Sequence, residues 1–140
     1  MIDKEVLENN LSNLEEYLSD LEEVKLNYKL ADYENNKIIK RYTERTLQIA
    51  IEACLDIAHH VISYQGFREP QDNKDCFQVL LEKEVIRTDL AEQLKRMAQF
   101  RNVVVHDYLK VNPEIIYAIL HKNLPDIVDF AQIIEEKYLD

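Results

Sequence analysis

The residues best equipped for chemistry in this sequence form one stretch, Phe100-Arg101-Asn102-Val103-Val104-Val105-His106-Asp107-Tyr108. An arginine, an amide, an imidazole and a phenol stand around three consecutive valines. At about 100° per residue, Arg101 falls in the middle of a helical apolar stripe made by Leu90, Leu94, Met97, Val105 and Tyr108. A guanidinium placed there costs several kcal/mol unless it meets a carboxylate, a phosphate or an interface. Glu44, Glu52 and Asp56 are the candidate acids, and spacing does not choose among them. His106 falls about 140° away from Arg101 on an ideal helix, beside Asn102. Two arrangements would bring the histidine and arginine together. The three valines, poor helix formers, can break the helix, or two copies of the chain can pool their residues at a two-fold axis. The bland reading pairs Arg101 with an acid, leaves His106 at the surface and puts Tyr108 in the core.

The elements that must position these residues are helical. One Gly and three Pro in 140 residues are too few for a sandwich, a barrel or a disordered linker. Hydrophobic residues at 46% and charged residues at 31% suit a helical bundle, read here as a single domain over residues 1–140 and long enough to bury roughly two-thirds of its unfolded surface. The N-terminus has no signal-type apolar core, and no segment approaches about 18 uninterrupted apolar residues. Cys54 and Cys76 have no metal-like spacing and read as reduced structural thiols, so a cytoplasmic protein away from membranes is expected. The net charge is −10, but residues 35–106 hold 10 acids and 11 bases, so the acidity belongs to the two ends. A broadly basic nucleic-acid surface is excluded; a local basic cleft in the middle is not.

Along the chain, Leu7, Leu11, Leu14, Leu18, Leu21 and Tyr28 mark a first amphipathic helix over about residues 3–30, interrupted at Lys25. Residues 31–36 read as a connection, with Asn35 or Asn36 capping a second helix to about residue 64. That helix is apolar nearly all round from Leu47 to Ile62, as a central helix should be, and Gly66 is placed to end it. A shorter helix spans about residues 72–83, with Asp72 or Asn73 as cap, and Thr88 is placed to cap a fourth that carries the opening stretch. Asn112-Pro113-Glu114 starts the last helix, which Pro125 must kink or divide. The expected fold class is all-α, an antiparallel bundle of about five helices.

Arg101, Asn102, His106 and Tyr108 at this spacing resemble the signature of HEPN-domain ribonucleases, and more closely that of the HepT toxins of HepT–MntA toxin–antitoxin systems. The stretch Arg45-Thr46-Leu47-Gln48-Ile49-Ala50-Ile51-Glu52-Ala53-Cys54-Leu55-Asp56-Ile57-Ala58 is similar to the second helix of that family, and length and helix order agree. The resemblance implies a HEPN-like all-α homodimer with both motifs facing a shared cleft, and a metal-independent endoribonuclease with no cofactor. It also implies a MntA-like nucleotidyltransferase antitoxin that transfers AMP to Tyr108. In that scheme Arg101 grips the RNA phosphate and His106 acts as general acid or base. Asn102 positions His106 or binds phosphate, and Tyr108 stacks on a base or bonds to phosphate. AMP on Tyr108 would add charge and bulk where phosphate must sit. The alternative is a HEPN-like binding module that docks a nucleotidyltransferase or binds nucleotides without cutting RNA.

Other residues read more plainly. Asp56 and His59 have the acid-x-x-His spacing of carboxylate metal bundles, but no second such pair exists, so no metal is expected. His59 and His60 read as a helix-end surface pair and His121 as a surface residue. Lys37, Lys40, Arg41 and Arg45 form either a solvated face or an RNA-facing wall.

Overall fold

A computed structural model describes residues 3–107 and 111–139, with residues 105–107 described by their backbone alone. Among the described residues the chain forms seven helices and no strand: α1 (Lys4–Asn27), α2 (Leu30–Asn35), α3 (Lys37–Gln65), α4 (Asn73–Glu82), α5 (Thr88–Asp107), α6 (Pro113–Lys122) and α7 (Leu124–Tyr138). The all-α class is as expected. Seven helices replace about five for two reasons. Most of the stretch read as connection, residues 31–36, lies in the short helix α2, which closes because Asp32 Oδ2 accepts from Lys29 N at 2.7 Å and Tyr33 is fully buried. The last helix is divided at Asn123, two residues before Pro125.

The helix starts are written in their caps. Asp3 Oδ1 accepts from Glu5 N and Val6 N, and Asn36 Oδ1 from Ile38 N and Ile39 N. Asp72 Oδ1 accepts from Asp75 N at 2.7 Å, and Asn112 Oδ1 from Glu114 N at 2.8 Å. Each cap satisfies donors that a helix start leaves open, typically worth about 1 kcal/mol. Gly66 ends α3 in the left-handed region at φ 67, ψ 29, where a side chain would be strained.

The leucine seam of α1 is buried at Leu7, Leu11, Leu14, Leu18 and Leu21, with Val24 taking the step that Lys25 interrupts. It lies on α3, whose buried residues run from Thr43 to Ile62 and which touches every other helix. α4 adds Phe77, which meets Phe130 of α7 edge to face at 5.9 Å and 89°. The loop from α3 to α4 is pinned by Arg68. Its Nη1 and Nη2 donate to Asp75 at 2.7 and 2.9 Å, and its Nε and Nη2 donate to Glu82 at 3.0 and 2.8 Å. α5 then packs against α3 and α4, which places Arg101 beside the middle of α3.

Candidate active site

α5 is one continuous helix from Thr88 to Asp107, so the break at Val103–Val105 that would have turned His106 toward Arg101 is not there. Packing overrides the weak propensity of the valines, because Val104 is 4% exposed and belongs to the core while Val103 stands half in solvent. His106 therefore stands on the same helix as Arg101, five positions further on. Its side chain lies outside the described residues, and so does the whole of Tyr108.

The partner of Arg101 is Glu52. Nε donates to Glu52 Oε1 at 3.1 Å, and Nη2 lies 3.1 Å from the same oxygen. The two side chains are 25% and 31% exposed, which is shielded enough to hold one geometry and open enough to admit a ligand. Gln48, one turn before Glu52, donates to the same Oε1 at 3.0 Å. Arg101 Nη1 donates to Asn102 Oδ1 at 3.3 Å. Asn102 thus acts on the arginine in this structure.

The other two candidate acids are otherwise engaged. Glu44 is 4% exposed and sits 2.7 Å from Lys40 Nζ; the pairing is electrostatic, since the geometry at Oε1 is not that of a hydrogen bond. Asp56 stands at the rim of the arginine cleft. Burial of its carboxyl, and then the charge of Glu52, push its pKa above the ordinary value, while His59 opposes them. Of the basic set at the start of α3, Lys40 is spent on Glu44, and Lys37, Arg41 and Arg45 are exposed.

Arg101, Glu52, Leu55, Asp56, His59 and Asn73 line an open cleft of about 310 Å³. Sequence reasoning placed His59 at the surface, and it is exposed, but it also faces this cleft and rests on Cys76, with Nε2 3.2 Å from Sγ. Asn73 was read only as a possible cap. The signal for His59 was available, since it lies seven residues after Glu52, two helical turns along the same face; Asn73, on α4, had none. Burial pushes the Cys76 thiol up to about 11 and the Cys54 thiol up to about 12, so both stay protonated near neutrality. Among the described residues no three His, Cys, Asp or Glu side chains gather as metal ligands would. A larger hollow of about 570 Å³ lies between α5 and α6, floored by Met97, Phe100 and Ile119. It is apolar at its base and excludes Arg101, so size alone does not mark the site.

The bundle thus seats Arg101 on a carboxylate, five positions before His106 on one unbroken helix. A Ribonuclease HepT-like family model matches residues 14–134. The chain is 36% identical over 89 residues to an mRNA nuclease HepT of Shewanella oneidensis, spanning 64% of this chain and 67% of that protein. It is 28% identical over 116 residues to a tRNA nuclease HepT of Aphanizomenon flos-aquae, spanning 83% and 78%. Its fold superimposes with a TM-score of 0.88 on a tri-AMPylated Shewanella oneidensis HEPN toxin in complex with MNT antitoxin, at 26% identity over 98% of this chain and 100% of that one. A cytosolic Bacillus subtilis protein, YutE, shares the fold at a TM-score of 0.84 and 21% identity, covering 96% and 90% of the two chains. The chain belongs to the HepT-like ribonuclease family, the HEPN toxins of MntA–HepT toxin–antitoxin systems. Among its described residues no helix is long and apolar enough to cross a membrane.

Proposed function

We propose that this protein, acting as one unit over residues 1–140, is an endoribonuclease toxin that cuts RNA without metal in a cleft shared by two copies. It is silenced when a nucleotidyltransferase antitoxin transfers AMP to Tyr108. The observation that carries this reading is the half-buried Arg101, fixed by Glu52 with N–H donors to spare, on the same unbroken helix as His106. A module that only docked a partner would have no need of His106 on that helix. The nuclease names of the two HepT relatives and the antitoxin-bound, AMP-modified toxin of matching fold support the same reading.

The chemistry follows from the side chains. The ribose 2′-oxygen loses its proton, attacks the adjacent phosphorus and displaces the 5′-oxygen, which takes up a proton as it leaves. The products are a 2′,3′-cyclic phosphate and a free 5′-hydroxyl. His106 carries one of these proton transfers and Arg101 stabilises the charge on the phosphoryl oxygens. With α5 unbroken, His106 and Arg101 of one copy diverge, and pairing with a second copy across a two-fold axis is the remaining way to bring a histidine to the arginine. AMP on Tyr108, two residues beyond His106, puts a phosphate and an adenosine where the RNA backbone must pass.

Purified protein is expected to cut single-stranded RNA in EDTA, with His106→Ala slower by about 10²-fold or more. Cleavage at the wild-type rate by that variant removes His106 from the mechanism. A strict need for a divalent ion refutes the metal-free scheme.

A further inference from the structure

We infer that Glu52 is a positioning residue for this cleavage, holding Arg101 by its side edge so that the end fork of the guanidinium faces the cleft. The inference rests on the ribonuclease reading above. A guanidinium is a flat plate with five N–H donors. Glu52 Oε1 accepts from Nε at 3.1 Å with Nη2 equally close, and Asn102 Oδ1 accepts from Nη1 at 3.3 Å. At most three donors are used. The remaining two belong to Nη1 and Nη2, the pair that can meet two oxygens of one phosphate side by side.

Glu52 is itself fixed. Gln48 Nε2 donates to the carboxylate oxygen that holds Arg101, and both residues stand on α3, the helix in contact with all the others. Arg101 stands near the C-terminal end of α5, on a long side chain that no described contact other than Glu52 and Asn102 orients. The most constrained helix of the bundle therefore sets the direction of the group that must meet the transition state. A misplacement of about 1 Å at such a group can cost on the order of 10²-fold in rate.

The charge of Glu52 gives the role its own signature. A carboxylate beside the guanidinium opposes the approach of an anion, so Glu52 does not help RNA to bind. Its removal should leave binding equal or tighter while turnover falls, which separates positioning from a general loss of structure.

The experiment is steady-state cleavage of a defined RNA oligonucleotide by the full-length protein in EDTA. Wild type is compared with His106→Ala, Glu52→Ala, Glu52→Gln and Glu52→Asp, and the Arg101 Nε–H signal is followed by NMR. Glu52→Ala is expected to lower kcat about 10²-fold with KM unchanged or lower, and to lose the protected Nε–H signal. Glu52→Gln, whose amide oxygen can still accept from Nε, should recover to within about 10-fold of wild type and keep the signal. Glu52→Asp keeps the charge but withdraws it by one methylene, and should fall about 10-fold; it serves if the alanine variant fails to fold. A wild-type kcat in Glu52→Ala or Glu52→Asp overturns the positioning role. A kcat above wild type also overturns it, since Glu52 would then be competing with phosphate. If wild type cuts and His106→Ala does not, such a result refutes this inference alone. If wild type cuts no RNA, the ribonuclease reading fails and this inference falls with it.

Discussion

Replacing Asp75 by asparagine removes one charge from the clamp that pins the α3–α4 loop, and the structure fixes both the size and the pH range of the effect. Hydrogen bonds from Arg68, and then from Gln71 N at 2.9 Å, hold the Asp75 carboxyl down at about 2, against an ordinary 3.8. At about 1.36 kcal/mol for each tenfold change in proton affinity, that difference stabilises the folded state by at most about 2.5 kcal/mol. Asp75 is 18% exposed but Arg68 is 41% exposed, so solvent screening trims the net contribution to about 1 kcal/mol. A folded-state pKa below the unfolded one stabilises the protein above about pH 4, and this contribution is lost as pH falls through about 2. Asp75→Asn should therefore lower the unfolding free energy by about 1 kcal/mol at pH 7, or the melting midpoint by about 3 °C, and by much less at pH 2. Urea unfolding of both proteins at several pH values reads this directly. A difference of the same size at pH 7 and pH 2 would refute the electrostatic account, and no difference at pH 7 would show the clamp to be energetically idle.

The remaining predictions concern the core, the α3 terminus and the thiols. Phe77→Ala should cost about 3–5 kcal/mol in chemical denaturation, because Phe77 is 1% exposed and loses its edge-to-face contact with Phe130. A loss under about 1 kcal/mol would mean that the core closes over the gap. Gly66→Ala should cost about 1–2 kcal/mol through backbone strain at φ 67 alone, since an added Cβ meets no atom within 4 Å; a neutral result would show that this turn relaxes. Cys54 and Cys76 should resist a thiol reagent at pH 8 until denaturant is added, both being buried and held as thiols. Rapid native labelling of either would contradict their burial.

The caps and periodicities of the sequence were enough to place most of this fold. The leucine seam of α1, the caps Asn36, Asp72 and Asn112, the stop at Gly66 and the division near Pro125 all act locally, and local chemistry is what a sequence displays. α2 was missed because six residues are too few to show a helical period, and its stability comes from Asp32 and the burial of Tyr33. The valine run misled in the opposite direction, since the core contact of Val104 outweighs its weak helix propensity. At the site, the arginine was legible as an apolar-stripe residue that needs a partner. Its partner was not. Glu44, Glu52 and Asp56 share the same helix; Lys40 takes the first within one turn of α3, and only the docking of α5 shows that Arg101 takes the second and that the third stays at the rim.

The Glu52–Arg101 pair joins residues 49 positions apart, across the whole of α4 and the loop that Arg68 pins. Domains emerging from the ribosome fold from the N-terminus, and a contact of this span forms only after both helices have been made and docked. A growing chain that ends before α5 holds no aligned arginine. If Arg101 serves RNA cleavage as proposed, the protein gains that geometry only late in its own synthesis, and a truncated or half-folded copy should be inactive. That is a useful property in a toxin made beside the messages and transfer RNAs that direct its own translation.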